Sequence, residues 1–212
     1  MEKIKLGEIK AHSIMLLFPD LELSYDSGSE DSLKGVIENL KYDPNTRDIL
    51  LACTPSINRA FTIIEKRGGS KTKSSAISVT GIKNGRLKIK LSDIASDVYR
   101  VCKVYNKNGK AIPFESETDD EIYLDTKDGG EYTFIYKSKI KRINEATSDF
   151  CEIDLSEGIS EIIPYFVKSE VLFSEDRGAS DTARILFDGI LKELSSLPMA
   201  EAPEIKSVYY ME

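Results

Sequence analysis

Apolar residues recur at three- and four-residue steps near both ends of the chain and at two-residue steps through its middle. That change of period divides the sequence. The clearest amphipathic stretch is Ser156 to Leu197, where Ala183, Leu186, Phe187, Ile190, Leu191 and Leu194 line one helical face. Arg184, Asp188, Lys192 and Glu193 fall mostly away from it. Ser180 or Asp181 is expected to cap this helix, since a short side-chain oxygen accepts unpaired first-turn amides, and Pro198 to close it. Upstream, Ile159, Ile162, Ile163, Phe166, Val167, Val171 and Phe173 predict a more apolar helix that Pro164 starts or bends. The polar turn Glu175 to Gly178 folds the two back antiparallel. Two such helices cannot bury both stripes alone and need the rest of the chain or a neighbouring subunit.

At the other end, residues 3 to 18 predict a helix through Leu6, Ile9, Met15, Leu16 and Phe18, followed by a polar loop from 21 to 30. Ser29 or Asp31 is expected to cap a second helix reaching Leu40, and Tyr42-Asp43-Pro44-Asn45 reads as a turn. Thr46 to Arg67 is helical in pattern but divided at Pro55: one helix to about Cys53, then a second with Thr54 as cap and Pro55 at its first position. Gly68 and Gly69 stop it. From Lys73 to Ile140 the period is two. Strands are expected at Ala76 to Thr80, Arg86 to Leu91, Val98 to Tyr105, Ile112 to Phe114, Glu121 to Asp125 and Glu131 to Lys137. Asn84-Gly85, Asn108-Gly109 and Asp128-Gly129-Gly130 are hairpin signals, because these residues tolerate the positive φ of tight turns. The expected fold is therefore α+β. Residues 1–69 with 150–198 form a helical platform, 70–149 an inserted antiparallel β-sandwich or barrel, and 199–212 a tail.

Composition adds limits. Of 212 residues, 41% are hydrophobic and 31% charged, as in an ordinary soluble globular protein. A net charge of −7 argues against generic nucleic-acid binding, which needs cations to displace phosphate counterions. No apolar run approaches the ~20 residues that span a bilayer, and MEKIKLGEIK lacks a signal peptide's apolar core. Cys53, Cys102 and Cys151 are odd in number and widely spaced, which predicts reduced, mostly buried thiols of a cytoplasmically made protein.

Reactive chemistry is sparse. His12 is the lone histidine and has no cysteine near it in sequence. The acidic run Glu117 to Glu121 offers carboxylates for calcium, or with Asp125 an acidic pair for hydrolysis, but lacks an ordered calcium loop and reads as a solvated turn. No catalytic, metal or cofactor site is expected. Lys66-Arg67-Gly68-Gly69-Ser70-Lys71-Thr72-Lys73 is basic and glycine-containing, yet its glycines close a helix, the wrong polarity for a phosphate loop. It is expected to be a flexible hinge. The other reading is weak phosphate-backbone contact through Lys66, Arg67, Lys71 and Lys73. Tyr132, Tyr136, Tyr165, Tyr209 and Tyr210 offer amphipathic interface area.

The order of pieces is more telling than any one of them. Leu6 to Ile9, Pro55 to Ala60 with Ile64-Glu65, and Ile163-Pro164-Tyr165 through Glu175-Asp176, ending near Phe187, flank the β insert. In this layout the chain resembles tailed-phage head-to-tail adaptor proteins, the neck proteins that include the adaptors of short-tailed phages. The resemblance implies a structural virion protein of the neck, assembled in the host cytoplasm, with no chemistry and no cofactor. It implies self-association into a dodecameric ring under the portal protein, with tail proteins (nozzle, tube or fibre) as further partners. DNA would pass through the ring without being specifically bound, a passage that a negative, mixed-charge surface suits. The tail residues Ile205, Val208, Tyr209 and Tyr210 would reach toward the portal. Ring contacts join two different faces of the subunit, and the helix carrying Ile159, Ile162, Tyr165, Phe166 and Phe173 is apolar around much of its circumference, which makes it the candidate interface. Burial of both sides within one subunit is the open alternative. A different class of function is a binding module whose β insert recognises a sugar or receptor.

Overall fold

The computed structural model describes residues 4–21, 23, 29–82, 85–155 and 158–196. Among them the fold is α+β, with helices at both ends and two three-stranded antiparallel sheets between. The chain runs through α1 (Leu6–Leu17), α2 (Glu30–Tyr42) and α3 (Pro44–Lys66). It continues with β1 (Thr72–Val79), β2 (Leu87–Lys90), a single turn α4 (Leu91–Ile94) and β3 (Val98–Asn106). Then come β4 (Phe114–Thr118), β5 (Glu121–Leu124), β6 (Gly130–Ser138), α5 (Ile159–Val171) and α6 (Arg177–Ser196).

The apolar helix α5 sits at the centre of the helical part, packed on α1, α3 and α6, while α2 leans on α1 and α3. Phe166 of α5 meets Phe187 of α6 with ring centroids 5.0 Å apart at 58°, a tilted pairing that adds to the area both rings bury. The expected helical hairpin is present, but its caps differ. Asp176 accepts from the Ala179 amide at 3.0 Å, so α6 begins at Arg177. Ser180, expected as a cap, is buried inside α6 and donates its hydroxyl to the Ser169 carbonyl at 2.7 Å, tying the helices together. Pro55 does not divide α3 either. The helix runs unbroken from Pro44, with the Asp43 side chain accepting from the Asn45 amide at 2.9 Å, so the anticipated turn is a helix cap. Pro55 has no amide to give the Leu51 carbonyl, but both residues lie on the exposed side of α3, where such a loss is tolerated.

Helix α3 ends in a Schellman arrangement: Gly68 takes φ +76°, its amide donates to the Glu65 carbonyl at 3.0 Å, and the Gly69 amide donates to the Ile64 carbonyl at 2.9 Å. The glycines were expected to form a flexible hinge. Instead a Cβ at Gly69 would lie 2.9 Å from Ile64 and 3.1 Å from Leu191, so the joint is packed into the helical core.

The β unit is a sandwich. Sheet order is β1-β6-β3 in one layer and β2-β5-β4 in the other. Val101, Val104 and Phe134 from the first share a core with Leu87, Ile122 and Leu124 from the second. Two of the three glycine turns are not hairpins: the chain switches sheets between β1 and β2, at Gly85, and between β5 and β6, at Asp128-Gly129-Gly130. Asn108-Gly109 does close a short hairpin, with the Ile112 amide donating to the Val104 carbonyl at 2.9 Å, before Pro113 leads into the second layer. The tightest hairpin is β4–β5, turned by Asp119 and Asp120.

The chain rejoins the helices earlier than residue 150, since Ile140 and Ile143 already pack in the helical core. Two α3 side chains grip it there. Asn58 donates to the Ile143 carbonyl at 2.7 Å and accepts from its amide at 3.0 Å. Buried Glu65 accepts from the Ile140 amide at 2.6 Å and from Arg142. Removing this acceptor strands a buried amide, so Glu65→Ala should cost about 1–3 kcal/mol. Urea unfolding should show a lower midpoint at unchanged slope, with Glu65→Gln recovering part of the loss.

Candidate interaction cleft

The expected contact residues separate into different environments. Ile159, Ile162 and Phe166 are 1%, 2% and 1% exposed and lie in the helical core, so they are not an intersubunit surface; the chain itself covers them. Tyr165 is half-buried against that core, whereas Phe173 is 58% exposed beyond the end of α5. The Phe173 ring is stacked by Arg177, whose guanidinium lies 4.4 Å from the ring centroid. Ile205, Val208, Tyr209 and Tyr210 lie outside the described residues. Tyr132 and Tyr136 are core residues of the sandwich, their hydroxyls donating to the Asp128 carbonyl at 2.6 Å and to Asp97 at 3.1 Å, so they form no exposed aromatic platform.

The basic run is also divided. Arg67 pairs with Asp188 at 2.9 Å, Lys71 with Asp154, and Lys73 with Asp97 at 2.7 Å and Asp154 at 3.3 Å. These three cations brace the joint between helices and sandwich and are already neutralised, which removes them from the expected phosphate contact. The Lys73 ammonium, by hydrogen bonding, holds the Asp97 carboxyl below the usual carboxylate range, with the Tyr136 hydroxyl adding to the effect. Lys71 does the same for Asp154. Lys66 has no carboxylate within ion-pair distance among the described residues and faces a cleft of about 1230 Å³.

That cleft opens between the end of α3, the end of α6 and the side of the sandwich where strands β3 and β4 are the sheet edges. Its apolar lining is exposed only in part, through half-buried Phe114 on the sandwich side and Leu194 on the helical side, with the buried side chains Leu91, Val101, Ile122 and Ile159 behind them. Cations ring it: Lys66 from α3, Arg100 from β3, Lys137 from β6 and Lys139 just beyond. Lys137 is held in place by donating to the Ser70 carbonyl at 2.9 Å. None of the four has an ion-pair partner among the described residues. Asp119 and Asp120 close the far rim at the β4–β5 turn.

Strand β3 gives the cleft its unusual wall. It pairs with β6 on one side only, and its other edge is covered just near Tyr105, by Ala111. Register shifts at Tyr99 and Cys102 make two bulges, each adding one residue to the strand. Val98, Val101 and Val104, three residues apart, therefore all turn inward. Tyr99 and Cys102 are left half-buried along the cleft and Arg100 exposed beside them.

Elsewhere the acidic residues are dispersed. Glu121 pairs with Lys88 at 2.7 Å and Asp125 with Arg86 at 3.7 Å. No group of three or more His, Cys, Asp or Glu among the described residues is arranged to hold a metal ion. His12 lies on the exposed side of α1. Of the three cysteines expected to be mostly buried, only Cys53 is, and burial pushes its thiol up to about 12. Cys102 and Cys151 are half-buried because each sits where main chain meets the surface, at the edge strand β3 and in the segment before α5. No helix among the described residues is long and apolar enough to cross a membrane. Comparison with protein-family models gives no match, and comparison with curated proteins gives none either.

The lowered Asp97 carboxyl yields a signed expectation. A depressed folded-state value stabilises the protein above the unfolded value of about 3.9 and ceases to do so as pH falls through the folded one. Asp97→Asn should therefore be less stable than the parent at pH 7. The difference should shrink below about pH 4 and vanish once both carboxyls are protonated, as read from urea midpoints across that range.

Proposed function

We propose that this chain is a structural assembly protein, the head-to-tail adaptor of a tailed phage, forming a ring between portal and tail. The observation that supports it is apolar surface left uncovered on two different flanks of a helical bundle whose core is already closed. On α6, Ile185 is 70% and Leu186 44% exposed, with Phe173 58% exposed at the preceding turn. On the opposite flank, Tyr42 of α2 is 86% and Leu51 of α3 61% exposed. Two unlike patches separated by α5 suit a head-to-tail contact, in which one face meets a different face of the next copy and repetition closes a ring. The layout resemblance supplies the partners: the portal protein on one side, tail nozzle, tube or fibre proteins on the other, and DNA passing through unread. The same resemblance supplies the dodecameric size and the place in the virion neck.

Electron microscopy of the protein mixed with the portal protein encoded beside it tests this reading. A capping ring is the expected result. The double variant Ile185→Asp with Leu186→Asp should abolish the ring while moving the thermal midpoint little, because exposed substitutions change stability by roughly 0.5 kcal/mol or less. No complex with the parent protein, or undiminished rings from the variant, would sink it.

A further inference from the structure

We infer that the cleft beside β3 is a docking site for an extended, acidic segment of a partner protein, which lies along the free edge of β3 as an added strand. Three features carry the inference. The first is the unpaired edge: from Val98 to Lys103 no strand among the described residues lies on the outer side of β3. A row of unpaired main-chain donors and acceptors is a template for another chain. The second is charge. In a protein of net charge −7, four cations, three from α3, β3 and β6 and the fourth just after β6, converge on one opening with no carboxylate partner among the described residues. Elsewhere its lysines and arginines are commonly paired, as Lys71, Lys73, Arg86 and Lys88 are. The third is the floor, where the half-buried Phe114 ring is the apolar surface left open, backed by the core residues Val101 and Ile122. A strand places alternate side chains on opposite sides, so an extended segment can aim apolar residues at the floor and acids at the rim.

A nucleic-acid backbone fits less well. The edge of β3 offers carbonyl oxygens as well as amides, and carbonyls repel phosphate. Asp119 and Asp120 close one rim and oppose a continuous polyanion passing through. The bulges at Tyr99 and Cys102 interrupt regular pairing, which limits the added strand to a short one and discourages open-ended sheet growth. The site is independent of ring formation, because a peptide can fill the cleft whether or not copies associate. The two experiments therefore fail separately.

The test uses the full chain and a labelled ten-residue peptide of alternating glutamate and valine, followed by fluorescence anisotropy and by hydrogen exchange at Tyr99 to Lys103. The expected result is saturable binding with slowed exchange at those amides. Affinity should fall at least tenfold for a lysine–valine peptide, for the glutamate peptide with N-methylated backbone, and for the protein carrying Arg100→Glu with Lys139→Glu. Both substituted side chains are exposed, so an unchanged thermal midpoint would separate lost binding from lost folding. No binding of the glutamate peptide, binding indifferent to the charge reversals, or tighter binding of a single-stranded DNA of equal charge would each overturn the proposal. Slow exchange before any peptide is added, at those amides between Tyr99 and Lys103 that point away from β6, would overturn it too, by showing the edge already covered by the chain's own remaining residues.

Discussion

An inserted unit can be held rigidly only if the two chain segments joining it to its host are gripped together, and here α3 does the gripping. Glu65 and Asn58, seven residues apart and so on one side of the helix, bind the main chain of Ile140 and Ile143 as it returns. One turn after Glu65 the same helix ends in the packed Gly68–Gly69 joint that launches β1. Departure and return thus lie side by side, and β1 pairs with β6 from Thr72 opposite Lys137 onward. Arg67, Lys71 and Lys73 add ion pairs across the junction. These exposed pairs are individually weak, on the order of 1 kcal/mol or less. The buried carboxylate contributes more, because an unsatisfied buried amide has no water to turn to. The cleft is consequently a cavity of fixed shape between two anchored bodies.

Most of the fold is legible in the period of the apolar residues. The switch from helical to strand spacing near residue 70 and back before Ile159 places the insert, and four of the five helices of the helical part begin or end at a polar cap or a glycine. What the period cannot convey is context. Pro55 looks like a boundary because proline lacks an amide, yet it falls on the exposed side of the helix and the helix continues. Glycine turns signal positive φ but do not say whether the next strand joins the same sheet, and two of the three cross to the other layer. The three-residue spacing of Val98, Val101 and Val104 was the one local sign of bulging: in a strand, only an extra residue per repeat brings all three to one face.

The candidate site was less legible, and the reason is topological. A contiguous basic run attracts notice, but contiguity puts its members beside whatever the chain packs against, and three of its four charges meet carboxylates from α6, from the segment before α5 and from the turn before β3. The cations that stay unpaired come from α3, β3 and β6, and only the sheet order brings Arg100 and Lys137 opposite one another. Likewise, an apolar helix advertises burial but not by whom. Ile159, Ile162 and Phe166 are consumed within the subunit, whereas Ile185, off the principal stripe, carries the exposed surface.

Uncompensated charge is a clue because it opposes folding. Two like unit charges 8 Å apart at an effective dielectric of about 20 repel by about 2 kcal/mol, and side chains of this length relieve that by pairing when a partner is within reach. Across the junction Asp97, Asp154 and Asp188 have been recruited in this way. At the mouth of the cleft, acids are present at Asp119 and Asp120 but held away by the β4–β5 turn. A free strand edge and the half-buried Phe114 ring at the same opening face the same difficulty, each being more stable covered than bare. One extended acidic segment would meet the charges and cover both.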